Sequence, residues 1–315
     1  MHVLITGGFG YLGPAVADLL LAGGHHVTVM SRRGTPPGLV QRAVGFVSAD
    51  VRDRDRVCGV VREGGFDAVC HLAAALKGRD SFADPLTYYD VNVGGTLNLL
   101  LALRAAGSAE PARFVFTSTD KVYGSRRAGA VDEETPLAPE SPYAESKASA
   151  EQLVCAYART GAIAAVTLRC FNLAGVAGIL PDLDPDRIIP NALRAATGAQ
   201  SHVTINGDGS AVRDFVHVQD AAGAVMLALQ AATPGDGQTY NIGSGVGTSM
   251  AEILATVEAV TGLPVPVVYA PAQPEPQAII ADISRARTRL GWRPERSTIT
   301  CMLSEVWRVW PTVAG

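Results

Sequence analysis

The sequence predicts an α/β fold, with a doubly wound parallel sheet followed by a smaller mixed α/β lobe in the C-terminal part. Short apolar segments alternate with helical segments from the start, beginning with a strand over His2–Thr6. Gly7, Gly8, Gly10 and Gly13 follow this strand and open an alanine- and leucine-rich helix. A strand, a glycine-rich turn and a helix in this order are typical of a Rossmann sheet. A chain of 315 residues is long enough for two lobes that share a cofactor.

The remaining elements follow from the same alternation. Buried strands are predicted at residues 26–30, 45–49, 67–71, 114–116, 164–170 and 203–206, and helices at 53–62, 84–105, 144–159 and 187–198. Ser249 and Glu252 have the spacing of a capping box at the start of a further helix. Residues 126–140 are rich in proline, glycine and acids, which predicts a mobile loop. We assign residues 1–169 and about 212–242 to a dinucleotide-binding domain, and residues 170–211 and about 243–315 to a substrate lobe.

The composition narrows the class of protein. A net charge of −4 and a pI near 5.9 predict no basic surface for nucleic acid or for an anionic membrane. No apolar run approaches the roughly 20 residues that span a bilayer, and the N-terminus enters a strand without the zones of a signal peptide. We therefore predict a cytoplasmic protein that binds neither nucleic acid nor membrane.

The cysteines indicate free thiols. They lie in apolar segments without paired spacing, at Cys58, Cys70, Cys155, Cys170 and Cys301. Disulfide frameworks and zinc clusters need regular pairs, so we expect reduced, mostly buried thiols and no metal site.

The glycine-rich turn after the first strand predicts a dinucleotide site. Glycines allow the backbone to approach a pyrophosphate, and the following helix offers unpaired N–H groups and the positive end of its dipole. Strand two ends at Ser31, Arg32 and Arg33, without the acid that usually binds the 2′-hydroxyl of NAD. An arginine pair suits a 2′-phosphate, which favours NADP over NAD, although a solvated basic loop would have the same sequence.

A tyrosine and a lysine form the candidate catalytic pair. Tyr143 and Lys147 are four residues apart in a helical segment, so both side chains project from one face. An ammonium beside a phenol favours the phenolate, and we expect it to draw the pKa of Tyr143 down toward neutrality. Such a tyrosine can accept a proton from an alcohol while hydride leaves the same carbon. Many surface helices contain this pair by chance, so its context decides its meaning.

That context resembles the extended short-chain dehydrogenase/reductases, and within them the NAD(P)-dependent nucleotide-sugar epimerases and dehydratases. A strand ends in the hydroxyl-bearing Thr117–Ser118–Thr119 ahead of Tyr143 and Lys147. Matching motifs span nearly the whole chain, at residues 6–13, 71–74, 89–96, 141–147, 169–172 and 212–218. The chain is most similar to the UDP-galactose 4-epimerases, with one local feature more like the 4,6-dehydratases.

The resemblance implies a tightly bound NADP or NAD. Its pyrophosphate, adenine, ribose and nicotinamide would meet Gly7, Gly10, Tyr11, Leu12, Gly13, Ser31, Arg32, Arg33, Asp50, Val51, Leu72, Ala73, Ala74, Asn92, Thr117, Tyr143 and Lys147. The family's cofactor-binding lysine would fall one residue before Lys77, which puts that role in doubt. His71 ends strand four, where a lone histidine is more often a packing residue than a catalyst.

The resemblance also implies a UDP- or dTDP-hexose substrate. Thr119, Asn172, Arg187 and Arg213 would bind it, Arg213 through a phosphate, although a surface salt bridge to Asp214 is an alternative. A second family arginine for the diphosphate is replaced by Ala272. Either Arg187 or another side chain replaces it, or the substrate is not an ordinary nucleoside diphosphate.

The predicted reaction begins with oxidation at C4 of the sugar. Tyr143, ionised with the help of Lys147, takes the C4 hydroxyl proton, and Thr119 bonds the same oxygen. Return of hydride to the other face gives a 4-epimerase, which we favour. Asp120 and Lys121 match the position of the C5 base of 4,6-dehydratases, which keeps that reaction open; a structural ion pair is the alternative. A ketoreductase and a dinucleotide-sensing regulator without chemistry are further alternatives.

Family dimers pair the helices of residues 84–105 and of Tyr143, so we also expect a homodimer.

Overall fold

The computed structural model describes residues 1–32, 44–107, 110–125, 129–178, 180–273 and 276–313, with side chains up to residue 310. Within these residues the strands are β1 (His2–Thr6), β2 (His26–Ser31), β3 (Gly45–Ser48), β4 (Ala68–His71), β5 (Ala112–Thr119), β6 (Gly129–Val131), β7 (Ile163–Cys170), β8 (Asn172–Ala174), β9 (Val176–Ala177), β10 (Leu180–Pro181), β11 (Val203–Asn206), β12 (Val212–His217), β13 (Gln238–Ile242), β14 (Gly247–Ser249), β15 (Val267–Ala270) and β16 (Ala278–Ala281). The α-helices are α1 (Gly13–Ala22), α2 (Arg54–Gly64), α3 (Pro85–Tyr89), α4 (Gly95–Ala106), α5 (Pro142–Ala158), α6 (Ile188–Ala196), α7 (Val218–Ala231), α8 (Met250–Thr261) and α9 (Ile299–Val313). A π-type turn, Asp90–Gly94, joins α3 to α4, and a 3₁₀ turn, Asp120–Tyr123, follows β5.

A parallel sheet organises the larger lobe. Its described strands run in the order β13, β7, β5, β4, β1, β2 and β3, and every neighbouring pair is parallel. The direction of winding reverses at β1, because β2 and β3 lie on one side of it and β4, β5 and β7 on the other. In such sheets ligands bind beyond the carboxyl ends of the strands at the reversal. The predicted Rossmann sheet is confirmed.

Helices cover both faces of this sheet because its strands are apolar on both sides. In β1 the side chains alternate, Val3 and Ile5 entering one core and Leu4 the other. α1 packs against α7 on the first face, and α2 packs against α4 on the second, where α5 also lies. The carboxyl ends of β1, β4 and β5 therefore open at one edge between the two helical layers.

A smaller mixed sheet forms the second lobe. β12 pairs antiparallel with β14 and parallel with both β16 and β8, and β16 pairs parallel with β6. Two further pairs, β9 with β10 and β11 with β15, lie outside this sheet. A third apolar core, with Leu193, Val257 and Leu303 among its buried members, joins α6, α8 and α9. The predicted smaller mixed α/β lobe is also confirmed.

The chain crosses between the two sheets within the segment that we expected to be a mobile loop. β6 belongs to the smaller sheet, although the Asp120–Tyr123 turn before it and α5 after it belong to the larger lobe. The backbone N–H of Ala138 donates to the carbonyl oxygen of Val122 at 2.9 Å. The described part of this segment is thus held by backbone hydrogen bonds to both lobes. In the smaller sheet β16 lies between β6 and β12 and pairs with both, whereas β13 belongs to the larger sheet, where it pairs with β7.

Among the described residues, no helix combines the length and the apolar character needed to cross a membrane. All five cysteine thiols are free, Cys70 and Cys170 being buried and the others partly buried.

Candidate active site

The N-terminus of α5 presents the candidate catalytic pair. Ser141 caps the helix, accepting a hydrogen bond from the backbone N–H of Ala144 at 3.2 Å, and Pro142 occupies the first turn, where no donor is lost. Tyr143 and Lys147 follow one turn apart, and both are buried. The sequence-based placement of this pair on one helical face is therefore confirmed.

Burial controls the acidity of Tyr143. It raises the pKa of the phenol to about 12; the hydrogen bond with the Thr119 side chain lowers it, the charge of Asp120 raises it, and that of Arg187 lowers it. Our expectation that Lys147 draws this pKa toward neutrality is wrong for this structure, because removal of the phenolate from water outweighs the neighbouring charges. In this pair it is the pKa of Lys147, and not that of Tyr143, that moves toward neutrality.

Lys147 is a buried cation whose surroundings are mostly apolar. Its Nζ lies 4.1 Å from the centroid of the Phe116 ring, a cation–π distance. Burial lowers the pKa of Lys147 to about 8, while the negative charge of Glu151 and the thiol of Cys170 act in the opposite direction. Lys147 therefore begins to lose its ammonium proton at a pH that is only slightly above neutral.

Thr119, Asp120 and Lys121 lie together where β5 turns into its 3₁₀ segment. Thr119 Oγ1 donates to Asp120 Oδ1 at 3.1 Å and accepts from the Lys121 N–H at 3.3 Å. The Asp120 carboxylate is 3% exposed and forms an ion pair of 2.9 Å with Lys121 Nζ, whose side chain is 45% exposed. A buried carboxylate thus lies beside the Thr119–Tyr143 pair and is neutralised from the solvent side.

The turn between β1 and α1 has the geometry of a dinucleotide cradle. Gly7 has a φ of +69°, and a Cβ added there would lie 2.7 Å from the N and Cα atoms of Ala73. The Gly10 N–H donates to the Gly7 carbonyl at 2.8 Å, which closes the turn. Leu12 is an apolar N-cap residue that makes no side-chain hydrogen bond to the first turn of α1. Unpaired N–H groups at the start of a helix behind a glycine-rich turn are what a pyrophosphate requires, so these residues fit the group.

Asn92 anchors the loop that follows β4. Its Oδ1 accepts from the Ala75 N–H at 2.8 Å, and its Nδ2 donates to the Ala75 carbonyl at 3.1 Å and to Ser146 Oγ at 2.9 Å. Leu72 and Ala73 are bonded to Thr6 at the end of β1. Asn92 therefore fixes the loop of Leu72, Ala73 and Ala74 against α5, which agrees with a role in positioning the cofactor.

His71 is a buried packing residue, as the sequence suggested. Since Thr96 Oγ1 donates to the Asn92 carbonyl, the His71 Nε2–H donates to Thr96 Oγ1 at 3.0 Å, and Nδ1 accepts from Thr6 Oγ1 at 2.7 Å. Burial, with the charge of Lys147 second, lowers the pKa of His71 to about 3. The ring stays neutral and joins β1, β4 and α4, which carries Thr96. The backbone carbonyl of His71 accepts from Thr117 Oγ1 at 3.1 Å.

The end of β2 meets an acid on the neighbouring strand. Arg32 Nη1 lies 3.6 Å from Asp50 Oδ2, and Arg52 binds the same carboxylate through Nε and Nη2. The hydrogen bonds from Arg52 hold the pKa of Asp50 below its usual range. Ser31 ends β2 and Val51 is buried beside Asp50, while Arg33 lies outside the described residues. The positive charge of Arg32 is thus partly offset by Asp50.

The residues predicted to bind substrate lie on the smaller lobe and its connections. Arg187 forms a 2.9 Å ion pair with Asp182, and its charge acts on both Tyr143 and Tyr11. Arg213 donates to the carbonyls of Val212 and Pro276 at 2.9 and 2.8 Å. Asn172 Nδ2 donates to the Asp214 carbonyl at 2.9 Å. The side chains of Arg213 and Asn172 are therefore held by backbone oxygens.

Asp214 has a structural role. It is fully buried, and its carboxylate accepts from the N–H and hydroxyl of Ser244 at 2.6 Å, from the Gly245 N–H at 2.9 Å and from the Ala281 N–H at 3.0 Å. These hydrogen bonds use both oxygens of the Asp214 carboxylate, and the bond from Ala281 connects β12 to β16.

Sequence reasoning missed two ion pairs at this site. Lys77 Nζ contacts Asp186 at 2.8 Å and Asp184 at 3.8 Å, which joins the loop after β4 to the other lobe. Glu151, one turn beyond Lys147 on α5, binds Arg169 of β7. Only the place of Glu151 could have been recognised from the sequence, because Tyr143, Lys147 and Glu151 are spaced four residues apart and therefore lie on one face of the helix.

Comparisons with known proteins agree with this geometry. Residues 4–305 match a family model described as GDP-mannose 4,6 dehydratase. The chain is 35% identical to a UDP-glucose 4-epimerase of Streptomyces lividans, over 96% of this chain and 94% of the relative. Among solved structures it is similar to the UDP-glucose 4-epimerase of Stenotrophomonas maltophila with bound NAD and formylated UDP-arabinopyranose, with a TM-score of 0.91, 33% identity and coverage of 100% and 99%. It is also similar to the enzyme of Bifidobacterium longum in complex with NAD+ and UDP, with a TM-score of 0.90, 29% identity and coverage of 100% and 99%.

Proposed function

Because the chain belongs to the nucleotide-sugar epimerase and dehydratase family that the GDP-mannose 4,6 dehydratase model describes, we propose that it is an NAD(P)-dependent 4-epimerase of UDP-hexoses. The observation that carries this proposal is the buried Tyr143, one turn from Lys147 on α5 and with a pKa that the Thr119 side chain at the end of β5 lowers. Relatives that cover the full chain carry the name UDP-glucose 4-epimerase.

The chain's own residues move one proton in each half-reaction. When bound, the oxidised nicotinamide dinucleotide supplies the acceptor for the C4 hydride. Tyr143 Oη takes the proton of the C4 hydroxyl as the C–H bond at C4 breaks, and Thr119 orients the same oxygen. The 4-keto sugar then rotates in the pocket. Tyr143 returns the proton to the C4 oxygen as hydride is added to the opposite face of C4. Substrate and product are isomers, so no proton or electron pair is lost.

The active protonation state has one proton fewer than the fully protonated pair. The missing proton can come from Tyr143, which has a pKa of about 12, or from Lys147, which has a pKa of about 8. Most of the singly deprotonated form carries neutral Lys147, and a minor fraction carries the phenolate with the ammonium, which is the catalytic base. Any interaction that stabilises the Lys147 ammonium enlarges that fraction.

The cofactor would be held by the glycine turn and by the loop that Asn92 fixes. Solved relatives bind NAD, so the preference for NADP gains no support from them. Calorimetry with NAD and NADP decides the choice. If Arg32 grips the 2′-phosphate, NADP binds about tenfold more tightly or better, the effect of one charge-assisted contact. Equal affinities would leave Arg32 without that role.

We further propose that Arg213, Arg187 and Asn172 bind the nucleotide sugar. Arg213 and Asn172 need only exchange one backbone oxygen for a substrate oxygen, and Arg187 already affects Tyr143 electrostatically. Arg187 is our candidate for the diphosphate contact that Ala272 cannot make. A UDP-hexose is proposed ahead of a dTDP-hexose because the similar structures contain UDP or a UDP-sugar.

A second function, the 4,6-dehydration of a nucleotide sugar, is favoured by one observation. The Asp120 carboxylate is 3% exposed beside Thr119 and Tyr143, where a C5 base or C6 acid would have to act. Against this function, Lys121 Nζ donates to Asp120 Oδ2 at 2.9 Å, so the amine that would serve as the base is already bound to that carboxylate. The 4-epimerase therefore remains the main proposal.

Incubation with UDP- and dTDP-hexoses in heavy water separates the two reactions. An epimerase moves only the C4 hydride and a hydroxyl proton, so we expect a C4-inverted sugar without deuterium on carbon. A dehydratase breaks the C5–H bond and places solvent deuterium at C5 of a 4-keto-6-deoxy product. Product NMR of the parent and of Lys121→Thr is the measurement. Deuterium at C5 that disappears in the variant would replace the epimerase with the dehydratase.

We also propose a homodimer that uses the surface beside α5. Four apolar side chains are exposed between residues 82 and 97, namely Phe82, Leu86, Tyr89 and Leu97. The turn at Phe82, α3 and α4, which carry these side chains, all pack against α5, and Leu86 is 79% exposed. An apolar group of this size on one face is typical of an interface between subunits.

A further inference from the structure

Glu151 is a buried acid that the proposed reaction does not use directly. It follows Lys147 by four residues on α5, and both side chains therefore lie on one face of the helix. The carboxylate is 7% exposed, although an acid this deep is uncommon unless it is paired. Its partner is the guanidinium of Arg169 on the adjacent strand β7.

Arg169 fixes the carboxylate in position. Its Nε lies 3.2 Å from both Glu151 oxygens, and its Nη2 lies 2.9 Å from Oε2. The remaining donor, Nη1, binds Tyr123 Oη at 3.0 Å and the Glu133 carbonyl at 3.2 Å. Tyr123 in turn donates to Asn241 Oδ1 at 2.6 Å. The carboxylate therefore cannot rotate away from Lys147 without breaking this network.

We infer that Glu151, held by Arg169, is a positioning residue whose carboxylate keeps Lys147 in the ammonium form that the reaction needs. This inference rests on the proposed function. The charge acts through the lysine, since the Glu151 carboxylate is bound by Arg169 of β7 and lies one helical turn beyond Lys147 on α5. Arg169 serves the same end by fixing the position of the carboxylate through three hydrogen bonds.

The other groups around Lys147 provide little compensating charge. On α5 itself the neighbour is the phenol of Tyr143, whose pKa burial raises. β5 contributes the Phe116 ring, β4 the neutral His71, and β7 the thiol of Cys170, whose pKa burial also raises. Two further charged groups are already paired, Asp120 of the turn after β5 with Lys121 and Arg169 of β7 with Glu151 itself. Glu151 is the acid whose charge raises the pKa of Lys147 against the larger effect of burial.

Loss of this charge has a distinctive effect on pH dependence. On the acidic side of the pH profile, kcat/KM rises as the Tyr143–Lys147 pair loses its first proton. A lower pKa of Lys147 moves this rising limb to lower pH, because the pair then loses that proton at lower pH. The plateau falls by the same factor, about tenfold for each pH unit that the limb moves, because the ammonium–phenolate fraction shrinks equally. Below the limb the curves of variant and parent coincide. A merely structural defect would lower the whole curve without moving its limb.

The chain permits a direct measurement of the lysine as well. It contains three lysines, Lys77, Lys121 and Lys147, so selective carbon-13 labelling at Cε gives three resonances, and Lys147→Arg identifies one of them. In the parent we expect this resonance to titrate at a pH of about 8, because burial lowers the pKa of Lys147. In Glu151→Gln it should titrate at lower pH, while Lys77 and Lys121 remain as internal references. Glu63→Gln makes the same change on an exposed surface of α2 and should move none of them.

The outcomes are decisive even where turnover is absent, because the titration needs no substrate. An unmoved Lys147 resonance in a folded Glu151→Gln protein overturns the inference, whatever the activity. A moved resonance without turnover of any UDP-hexose keeps the inference for the lysine and rejects the proposed function. Glu151→Asp retains the charge but withdraws it by one methylene group, so a smaller downward shift is expected. If Glu151→Gln does not fold, an unchanged titration in Glu151→Asp overturns the inference instead.

Discussion

One added methyl group at the glycine turn tests how that turn is built. In Gly7→Ala an L-residue must adopt a φ of +69°, which costs roughly 1–2 kcal/mol. Its Cβ would also lie 2.7 Å from two backbone atoms of Ala73. Ala73 has little freedom to withdraw, because its N–H binds Thr6 Oγ1 at 3.3 Å and Asn92 holds the next turn of the loop through Ala75. Relief of such an overlap costs about 1–3 kcal/mol.

A second glycine separates the two contributions. Gly24 has a φ of +76°, and an added Cβ there meets no atom within 4 Å, so Gly24→Ala should lose only the roughly 1–2 kcal/mol of backbone strain. We expect Gly7→Ala to lose about 2–5 kcal/mol in all. Urea unfolding at matched m-values measures both free energies. Calorimetry with NAD should show an affinity at least about tenfold weaker for Gly7→Ala alone.

The reasoning fails if the two variants are equally stable and bind NAD equally well. Ala73 would then be able to move aside without loss, and the close approach of the two loops would have no bearing on the cofactor.

Three further predictions concern the reaction and the assembly. Tyr143→Phe should lower kcat by roughly 10²–10⁴ and keep the folded, cofactor-binding protein, since only proton transfer is removed; Tyr157→Phe on the same helix should keep full activity, and a Tyr143→Phe enzyme close to the parent would exclude this base. Arg213→Ala should raise KM for a UDP-hexose more than it lowers kcat, and an unchanged KM would move the phosphate contact elsewhere. Leu86→Asp should yield a monomer by sedimentation, whereas Val268→Asp, an exposed apolar site on the other lobe, should not; a monomeric parent would reject the dimer outright.

Local sequence patterns predicted the local structure well. The spacing of Ser249 and Glu252 predicted a capping box, and the structure contains both of its reciprocal hydrogen bonds. Glycines after β1 predicted the turn, because only a residue without Cβ fits at Gly7. The pair on α5 was predicted because four residues make about one helical turn. Each of these properties depends on residues that are close in the sequence.

What depends on tertiary burial was not predicted. The pKa of Tyr143 rises, rather than falls, since the depth of the phenol is set by elements packed around α5. Lys77 reaches Asp186, 109 residues away, and no local pattern marks such a partner. Residues 129–131 read as loop by composition, yet they form a strand because β16 offers an unpaired edge.

That short strand gives the active site a mechanical property. The chain leaves Thr119, enters β6 in the sheet of the other lobe, and returns to Tyr143. The segment between them is therefore fastened to both lobes, with Thr119 at one end and Tyr143 at the other. A displacement of the smaller sheet relative to the larger one would act, through β6, on the chain that joins these two active-site residues.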